Sequence, residues 1–270
     1  MSCELPIGVF DSGVGGLTVA KEIMHQLPQE KIIYFGDTAR VPYGSKSKET
    51  VTMYSRQIIR FLQTKHVKAI VIACNTASAF ALETVKNELN LPIVGVVKPG
   101  AKTAAQTTRN GNIGVIATEG TINSGIYTEF LAQLKPELHV YGKACPLFVP
   151  LVEEGWINDP VTKMIVSRYL TDLMEKDIDT LVLGCTHYPL LRHIIREVVG
   201  ENISLVNPAY ETARSLKQLL EEKNLLNENQ KQPEHTFFVS DGAEKFRQFA
   251  NTILPCNMIE TKDVHLERFE

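Results

Sequence analysis

The sequence contains no apolar run long enough to cross a bilayer, for which a helix needs about 20 consecutive apolar residues. It begins Met-Ser-Cys-Glu-Leu-Pro, without the basic start and the apolar stretch of a secretory signal peptide. No block of lysine and arginine stands out, and the formal net charge is -3. These absences argue against a membrane protein, a secreted protein and a non-specific nucleic-acid binder.

Cysteine is scarce, and its spacing fits neither a disulfide framework nor a redox pair. The 270 residues contain five cysteines, an odd number, and no Cys-x-x-Cys motif. A zinc site would need more ligands than the histidine near two of these thiols supplies. We therefore expect a protein of the reducing cytoplasm that holds no metal, with thiols available for chemistry.

Short β-branched runs alternate with helical stretches, which predicts an α/β fold with mostly parallel sheets. The runs are apolar almost throughout, as expected for strands that helices cover on both faces. Amphipathic segments lie at 17–26, 48–64, 161–176 and 211–222, and the polar segment 221–234 is predicted to be a surface loop. The predicted strands are Pro6–Phe10, Lys31–Phe35, Ala69–Ala73, Ile93–Val97, Asn112–Ala117, His139–Tyr141, Thr180–Gly184, Ile203–Val206 and His235–Val239.

Two halves of the chain resemble each other. Four short matches occur in the same order and at nearly constant spacing: Ile-Gly-Val at Ile7 and Ile113, Val-Pro at Val41 and Val149, cysteine at Cys74 and Cys185, and proline after Lys98 and Asn207. Such a repeat predicts two pseudo-symmetric, doubly wound halves that face each other across a central cleft.

The tail that follows the repeat adds a predicted helix, a strand at 236–240 and a helix at 242–254. We expect it to pack back on the first half. The predicted domains are therefore 1–98 plus 208–270, which is discontinuous, and 99–207.

Two cysteines occupy matching places in the repeat. Ala69-Ile-Val-Ile-Ala-Cys74 and Thr180-Leu-Val-Leu-Gly-Cys185 each run from an apolar strand into a thiol followed by small polar residues. In open parallel sheets, ligands bind beyond the carboxyl ends of the strands. A helix that starts there favours thiolate over thiol and lowers the pKa of the cysteine. Such a pair suggests proton carriers on the two sides of one carbon atom.

A single cysteine is more often a buried structural residue, and this is the interpretation we give to Cys3, Cys145 and Cys256.

Four other polar residues are candidates for the same site. Asp11 lies in a glycine-rich loop that fits neither a dinucleotide fingerprint nor a P-loop, so its carboxylate suits an ammonium group, or else caps the next helix. His187 could hold a proton beside Cys185, or be an exposed loop residue. Asp37 could equally be a turn residue, and Glu153 could face solvent.

Four motifs in order carry a family resemblance: Gly8-Val-Phe-Asp-Ser-Gly-Val-Gly-Gly-Leu17, Tyr34-Phe-Gly-Asp-Thr-Ala-Arg-Val-Pro-Tyr-Gly44, Ile72-Ala-Cys-Asn-Thr-Ala77 and Leu183-Gly-Cys-Thr-His-Tyr-Pro189. With them, the chain resembles the cofactor-independent glutamate racemases of the aspartate/glutamate racemase superfamily over nearly its whole length. The resemblance implies interconversion of L- and D-glutamate without pyridoxal phosphate, metal or nucleotide, to supply D-glutamate for peptidoglycan.

The resemblance also implies roles for individual residues. Cys74 and Cys185 are the acid/base pair, Asp11 and His187 assist them, and Asp37 and Glu153 are weaker candidates for assistance. The implied substrate contacts are Ser12, Tyr43, Gly44, Ser45, Asn75, Thr76, Thr118, Thr121 and Thr186. A cleft enzyme of this kind often forms a homodimer, which we also expect here.

Three alternatives remain open at this point. A racemase of the same superfamily could act on aspartate or another acidic amino acid. Cys185 and His187 could instead form a hydrolase, with Cys74 incidental. Two halves around a cleft also describe a binding protein for small acidic ligands.

Overall fold

A computed structural model describes residues 2–229, 231–255 and 261–269. In this part of the chain ten strands form two sheets. The larger sheet contains six strands: β1 (Ile7–Asp11), β2 (Ile32–Gly36), β3 (Ala69–Ile72), β4 (Ile93–Gly95), β9 (Thr236–Val239) and β10 (Thr261–Asp263). The smaller contains four: β5 (Asn112–Ala117), β6 (His139–Ala144), β7 (Thr180–Gly184) and β8 (Ser204–Val206).

Every neighbouring pair of strands in both sheets is parallel, which confirms the predicted fold class. The order in the larger sheet is β10-β9-β2-β1-β3-β4, and in the smaller sheet it is β6-β5-β7-β8. The order β2-β1-β3-β4 therefore recurs as β6-β5-β7-β8, as the sequence repeat predicts.

Helices connect the strands and cover both sheets. They are α1 (Leu17–Gln26), α2 (Lys48–Thr64), α3 (Asn75–Glu88), α4 (Val97–Thr107), α5 (Glu119–Asn123), α6 (Ile126–Leu134), α7 (Phe148–Glu153), α8 (Pro160–Met174), α9 (Arg192–Val199), α10 (Pro208–Glu222) and α11 (Ala243–Ile253). Short 3₁₀ turns lie at Tyr43–Ser45, Tyr188–Leu191 and Leu266–Phe269.

Side chains alternate between the two faces of each sheet, so each face has its own core. In the larger sheet Val9 packs with α1, α10 and α11, whereas Phe10 packs with α2 and α3. In the smaller sheet Leu183 packs with α7, α8 and α9, whereas Val182 packs with α4 and α6. Burial on both faces explains why the strands are apolar without alternation.

One of the four sequence matches does not correspond to a structural match. Val41-Pro42 lies in a loop and has a cis peptide bond, whereas Val149-Pro150 lies inside α7. The proline match does hold, because Pro99 lies in the first turn of α4 and Pro208 begins α10, and these helices follow β4 and β8.

The predicted elements differ from the structure at several ends. Strand β4 stops at Gly95, because Val97 already begins α4, and β6 continues to Ala144. The segment 221–234 is not simply a surface loop: Leu225 is buried in the core, and its carbonyl oxygen accepts a hydrogen bond from Lys68 Nζ at 2.8 Å.

The tail after α10 returns to the larger sheet, where β9 pairs with β2. The strands of the larger sheet thus come from both ends of the chain, and those of the smaller sheet come from its middle. The domain boundaries at 98/99 and 207/208 stay a prediction. Among the helices of the described residues, none is long and apolar enough to cross a membrane.

Candidate active site

The loops after the central strands of the two sheets meet around one small cavity of about 20 Å³. The loop after β3 contributes Cys74 and the loop after β7 contributes Cys185, so each half supplies one thiol to the same space. The complete lining is Ser12, Val41, Pro42, Tyr43, Gly44, Cys74, Asn75, Thr76, Thr118, Val149, Cys185, Thr186 and His187.

Ten of the predicted site residues line this cavity, and five do not. Thr121 and Glu153 contact residues of the lining, Asp11 and Asp37 lie behind it, and Ser45 is exposed on the surface. The substrate contact predicted for Ser45 therefore has only the family resemblance in its favour. Sequence reasoning missed the three apolar lining residues, although the Val-Pro repeat pointed to them: Val41, Pro42 and Val149.

Cys74 is the N-cap of α3, as predicted, and its Sγ accepts a hydrogen bond from the backbone N–H of Ala77 at 3.4 Å. The Ser12 hydroxyl lies 3.8 Å from the same sulfur. Even so, burial and the carboxylate of Asp11 raise the pKa of Cys74 to about 12, against the lowering by the Ala77 and Ser12 hydrogen bonds. The predicted lowering of this pKa was wrong, because removal from water outweighs the helix N-terminus.

Cys185 lies in a different environment. No α-helix begins at this residue. A 3₁₀ turn starts at Tyr188 with His187 as its N-cap, and α9 follows only from Arg192, so the helix starts later than predicted. The Cys185 Sγ lies 3.8 Å from Nδ1 of His187, and Nε2 of His187 lies 3.1 Å from Oε1 of Glu153 on α7. A chain of three groups therefore leads from the buried thiol through the buried imidazole to the carboxylate of Glu153, whose side chain is 30% exposed.

His187 is only 2% exposed, so it is not an exposed loop residue. Burial lowers the pKa of its imidazole, but the hydrogen bonds to Cys185 and Glu153 raise it, and the net result is a pKa of about 10. The imidazolium of His187 lies beside Cys185, whereas the carboxylate of Asp11 lies near Cys74 and favours its thiol form. The two sulfur atoms thus have opposite electrostatic partners.

Asp11 is fully buried and connects the two halves. Its Oδ2 accepts from the backbone N–H of Gly13 at 3.0 Å, and its Oδ1 accepts from the Thr186 hydroxyl at 3.3 Å. Asp11 is not the cap of the next helix, because α1 begins after Gly16. Burial raises the pKa of this carboxyl group, and the nearby His187 opposes that rise.

Asp37 also has no access to solvent, and it holds the loop that carries Tyr43. Its carboxylate accepts hydrogen bonds from Arg40 Nε and from Ser240 Oγ, both at 2.8 Å, and from the Tyr43 hydroxyl. Tyr43 lines the cavity and Asp37 does not. Asp37 is thus placed to position the wall of the site, since it does not reach the space between the thiols.

Three threonine hydroxyl groups form a buried cluster between the halves. Thr76 Oγ1 lies 2.9 Å from that of Thr118 and 3.2 Å from that of Thr121, and the last two are 3.1 Å apart. Each hydroxyl can turn its proton toward a new acceptor, so the cluster can donate to a carboxylate.

The other cysteines either do not line this cavity or lie beyond the described residues. Cys145 is buried outside the cavity lining, Cys3 is exposed, and Cys256 lies outside the described residues. Within the part of the chain that the structure describes, no cluster of three or more histidine, cysteine or acidic residues could hold a metal ion.

The model of the family described as Asp/Glu/Hydantoin racemase matches residues 7–216 of this sequence. The chain belongs to this racemase family. A glutamate racemase from Geobacter metallireducens is 52% identical over 261 residues, which cover 97% of each chain. The chain is therefore an amino-acid racemase of the glutamate racemase type, as the four motifs predict.

Solved structures of glutamate racemases have the same fold. One from Bacillus anthracis superimposes with a TM-score of 0.93 at 42% identity, over 96% of this chain and 97% of that one. One from Francisella tularensis, in complex with D-glutamate, gives a TM-score of 0.93 at 39% identity, over 99% of this chain and 100% of that one.

The pKa of His187 leads to a prediction about stability. The ordinary pKa of the group is 6.5, and that in the folded protein is about 10. Because the folded protein binds this proton more tightly, the contribution of His187 to stability is fully present below pH 6.5 and is lost as the pH rises to about 10. Urea unfolding measured across this pH range should therefore show that the free energy of unfolding of wild type exceeds that of His187→Gln by an amount that decreases as the pH rises.

A matched control is His193→Gln, since the side chain of His193 is 75% exposed in the same half of the chain. The free energy of unfolding of His193→Gln should differ little from that of wild type, and this difference should be nearly constant with pH. A His187→Gln difference that also stays constant would show that the imidazole has no raised pKa.

Proposed function

We propose that this protein interconverts L- and D-glutamate with Cys74 and Cys185 as its two proton carriers and with no cofactor. The observation that carries the proposal is that the two thiols, one from each half, line the same cavity and have opposite electrostatic partners. The D-glutamate bound by the Francisella tularensis relative supports glutamate as the substrate.

In this mechanism one sulfur is a thiolate and removes the α-proton from one face of glutamate. The opposite sulfur is a thiol and returns a proton to the other face. The product leaves with the roles of the two sulfurs exchanged, and the reverse reaction uses the same steps. Glu153 is proposed to hold His187 beside Cys185, and burial together with the nearby Asp11 is proposed to keep Cys74 as the thiol in the free enzyme.

The difficult species is the carbanion next to a carboxylate. Without an electron sink it has to be stabilised by fixed donors in a site that excludes water. Asn75, Thr186 and the hydroxyl cluster of Thr76, Thr118 and Thr121 are the proposed donors to the substrate carboxylates. Asp11, which holds Thr186, is proposed to assist Cys74, and Ser12 to contact the substrate.

The cavity sets a condition on binding. Its volume is about 20 Å³, whereas sites for small molecules usually measure about 300 Å³ or more. Glutamate can therefore enter only if the two halves or the lining side chains move apart. Closure around the substrate would then remove water from the reacting carbon.

The proposal places the reaction in the cytoplasm, where free thiols persist, and assigns its product to peptidoglycan precursors. We also propose that two copies of this chain form a homodimer.

Incubation with L- or D-glutamate in deuterium oxide, without added cofactor, tests this function. We expect optical rotation to decay to zero and deuterium to appear at Cα of both enantiomers, because the carriers exchange their protons with solvent. A parallel sample with D-aspartate should show neither change. Turnover of aspartate alone would support the other substrate, hydrolysis would leave Cα unlabelled, and a binding protein would give no turnover.

A further inference from the structure

A buried tyrosine from the second half contacts a residue of the first half beside the reacting thiols. Tyr127 lies near the start of α6 and is 4% exposed. Its hydroxyl donates a hydrogen bond of 2.8 Å to Oδ1 of Asn75. Asn75 follows Cys74 directly, is 4% exposed and lines the cavity.

Two glycines, Gly184 and Gly100, lie against the side chain of Tyr127, and a larger residue at either position would crowd it. A Cβ atom on Gly184 would lie 3.3 Å from Cε2 of the ring, and one on Gly100 would lie 3.4 Å from the hydroxyl oxygen. Gly184 immediately precedes Cys185, so the ring packs behind both catalytic loops. The phenol is therefore confined by α4 and the end of β7.

The protonation state of this phenol is fixed. Burial raises the pKa of Tyr127, and the nearby Cys185 raises it further, so the hydroxyl keeps its proton. In the structure this hydroxyl donates to Oδ1, so the oxygen of the Asn75 amide faces the tyrosine. The amide oxygen is held by the tyrosine, which leaves the two amide N–H groups as the donors that Asn75 can offer to a ligand.

We propose that Tyr127 is a positioning residue for the racemisation, which turns the Asn75 amide so that its N–H groups bind a carboxylate of glutamate. This inference rests on the proposed function. The contact also makes the orientation depend on both halves, since the tyrosine comes from one and the amide from the other. In the closed site the tyrosine holds the amide in this orientation, so the substrate carboxylate does not have to turn it.

Tyr127→Phe removes only the hydroxyl oxygen and leaves the ring in place. We expect KM for glutamate to rise and kcat to fall, with kcat/KM about tenfold lower, because the amide loses its fixed orientation. A variant that merely folds less well would lose kcat in proportion to the folded fraction and keep its KM. Thr162→Val is the matched control, since it removes another buried hydroxyl hydrogen bond, to the Trp156 carbonyl, outside the cavity lining.

A double-mutant cycle decides whether the tyrosine acts through the amide. Asn75→Ala alone should lower kcat/KM by about a hundredfold, and adding Tyr127→Phe to it should cause no further loss. A full tenfold loss in the Asn75→Ala background, or a KM of Tyr127→Phe equal to that of wild type, would overturn the inference alone. A wild-type protein that does not racemise glutamate would overturn the proposed function and the inference with it.

Discussion

Cys74→Ser and Cys185→Ser are each expected to lower the rate of racemisation by about 10³-fold or more. A serine hydroxyl holds its proton much more tightly than a thiol, so one face of the reacting carbon loses its proton carrier. Both side chains are 6% exposed, and the replacement changes them by a single atom, so binding of glutamate should be retained. Polarimetry gives the rate, and isothermal calorimetry gives the binding.

The two variants should also differ from each other. Each retains one thiol, which can still exchange the α-proton of one enantiomer with solvent, so the ratio of exchange rates for D- and L-glutamate should be opposite in the two. Cys145→Ser is the control, because this thiol is buried but does not line the cavity. Near wild-type turnover by either active-site variant would rule out the two-thiol mechanism, and identical exchange profiles would rule out the assignment of one thiol to each face.

Gly15→Ala is expected to lower the rate by about a hundredfold without unfolding the protein. A Cβ atom at this position would lie 2.4 Å from the Thr186 hydroxyl and 2.5 Å from Nδ1 of His187. Both side chains would have to move, which separates the imidazole from the Cys185 sulfur. Overpacking of this kind costs typically about 1–3 kcal/mol, less than the stability of most domains.

The measurement is kcat together with a urea unfolding curve. Gly142→Ala is the control. Gly142 lies on β6 outside the cavity lining, and its new Cβ atom would lie 3.3 Å from Ile122 on α5. That variant should keep its activity. Unchanged kcat in Gly15→Ala would mean that the position of His187 does not matter to the reaction.

Much of this architecture follows from the sequence for simple physical reasons. Strands buried on both faces must be apolar throughout, which made most of them recognisable, and parallel strands bring the residues after them to one edge. The sequence therefore predicts that Cys74 and Cys185 belong to one site, and both line the same cavity. Strand β10, with the sequence Thr-Lys-Asp, carries no such apolar signal and was not predicted.

The remaining features depend on distances between residues far apart in the chain. No local pattern connects Tyr127 to Asn75, or Leu225 to Lys68. The pKa of Cys74 was predicted with the wrong sign because the helix N-terminus is visible in the sequence, whereas the depth of burial and the approach of Asp11 are not. The sequence around each cysteine thus predicts where the thiols lie. Their protonation depends on burial and on neighbouring charges, which only the packed structure shows.

The same strand order in the two sheets is also relevant to the equilibrium that a racemase catalyses. Mirror-image forms of an amino acid have the same free energy in water, so a racemase gains nothing from preferring either. Strands β3 and β7 hold equivalent ranks in their sheets, and each is followed by one sulfur atom. Two sulfur atoms at equivalent positions of two similar halves would let one site act on either enantiomer.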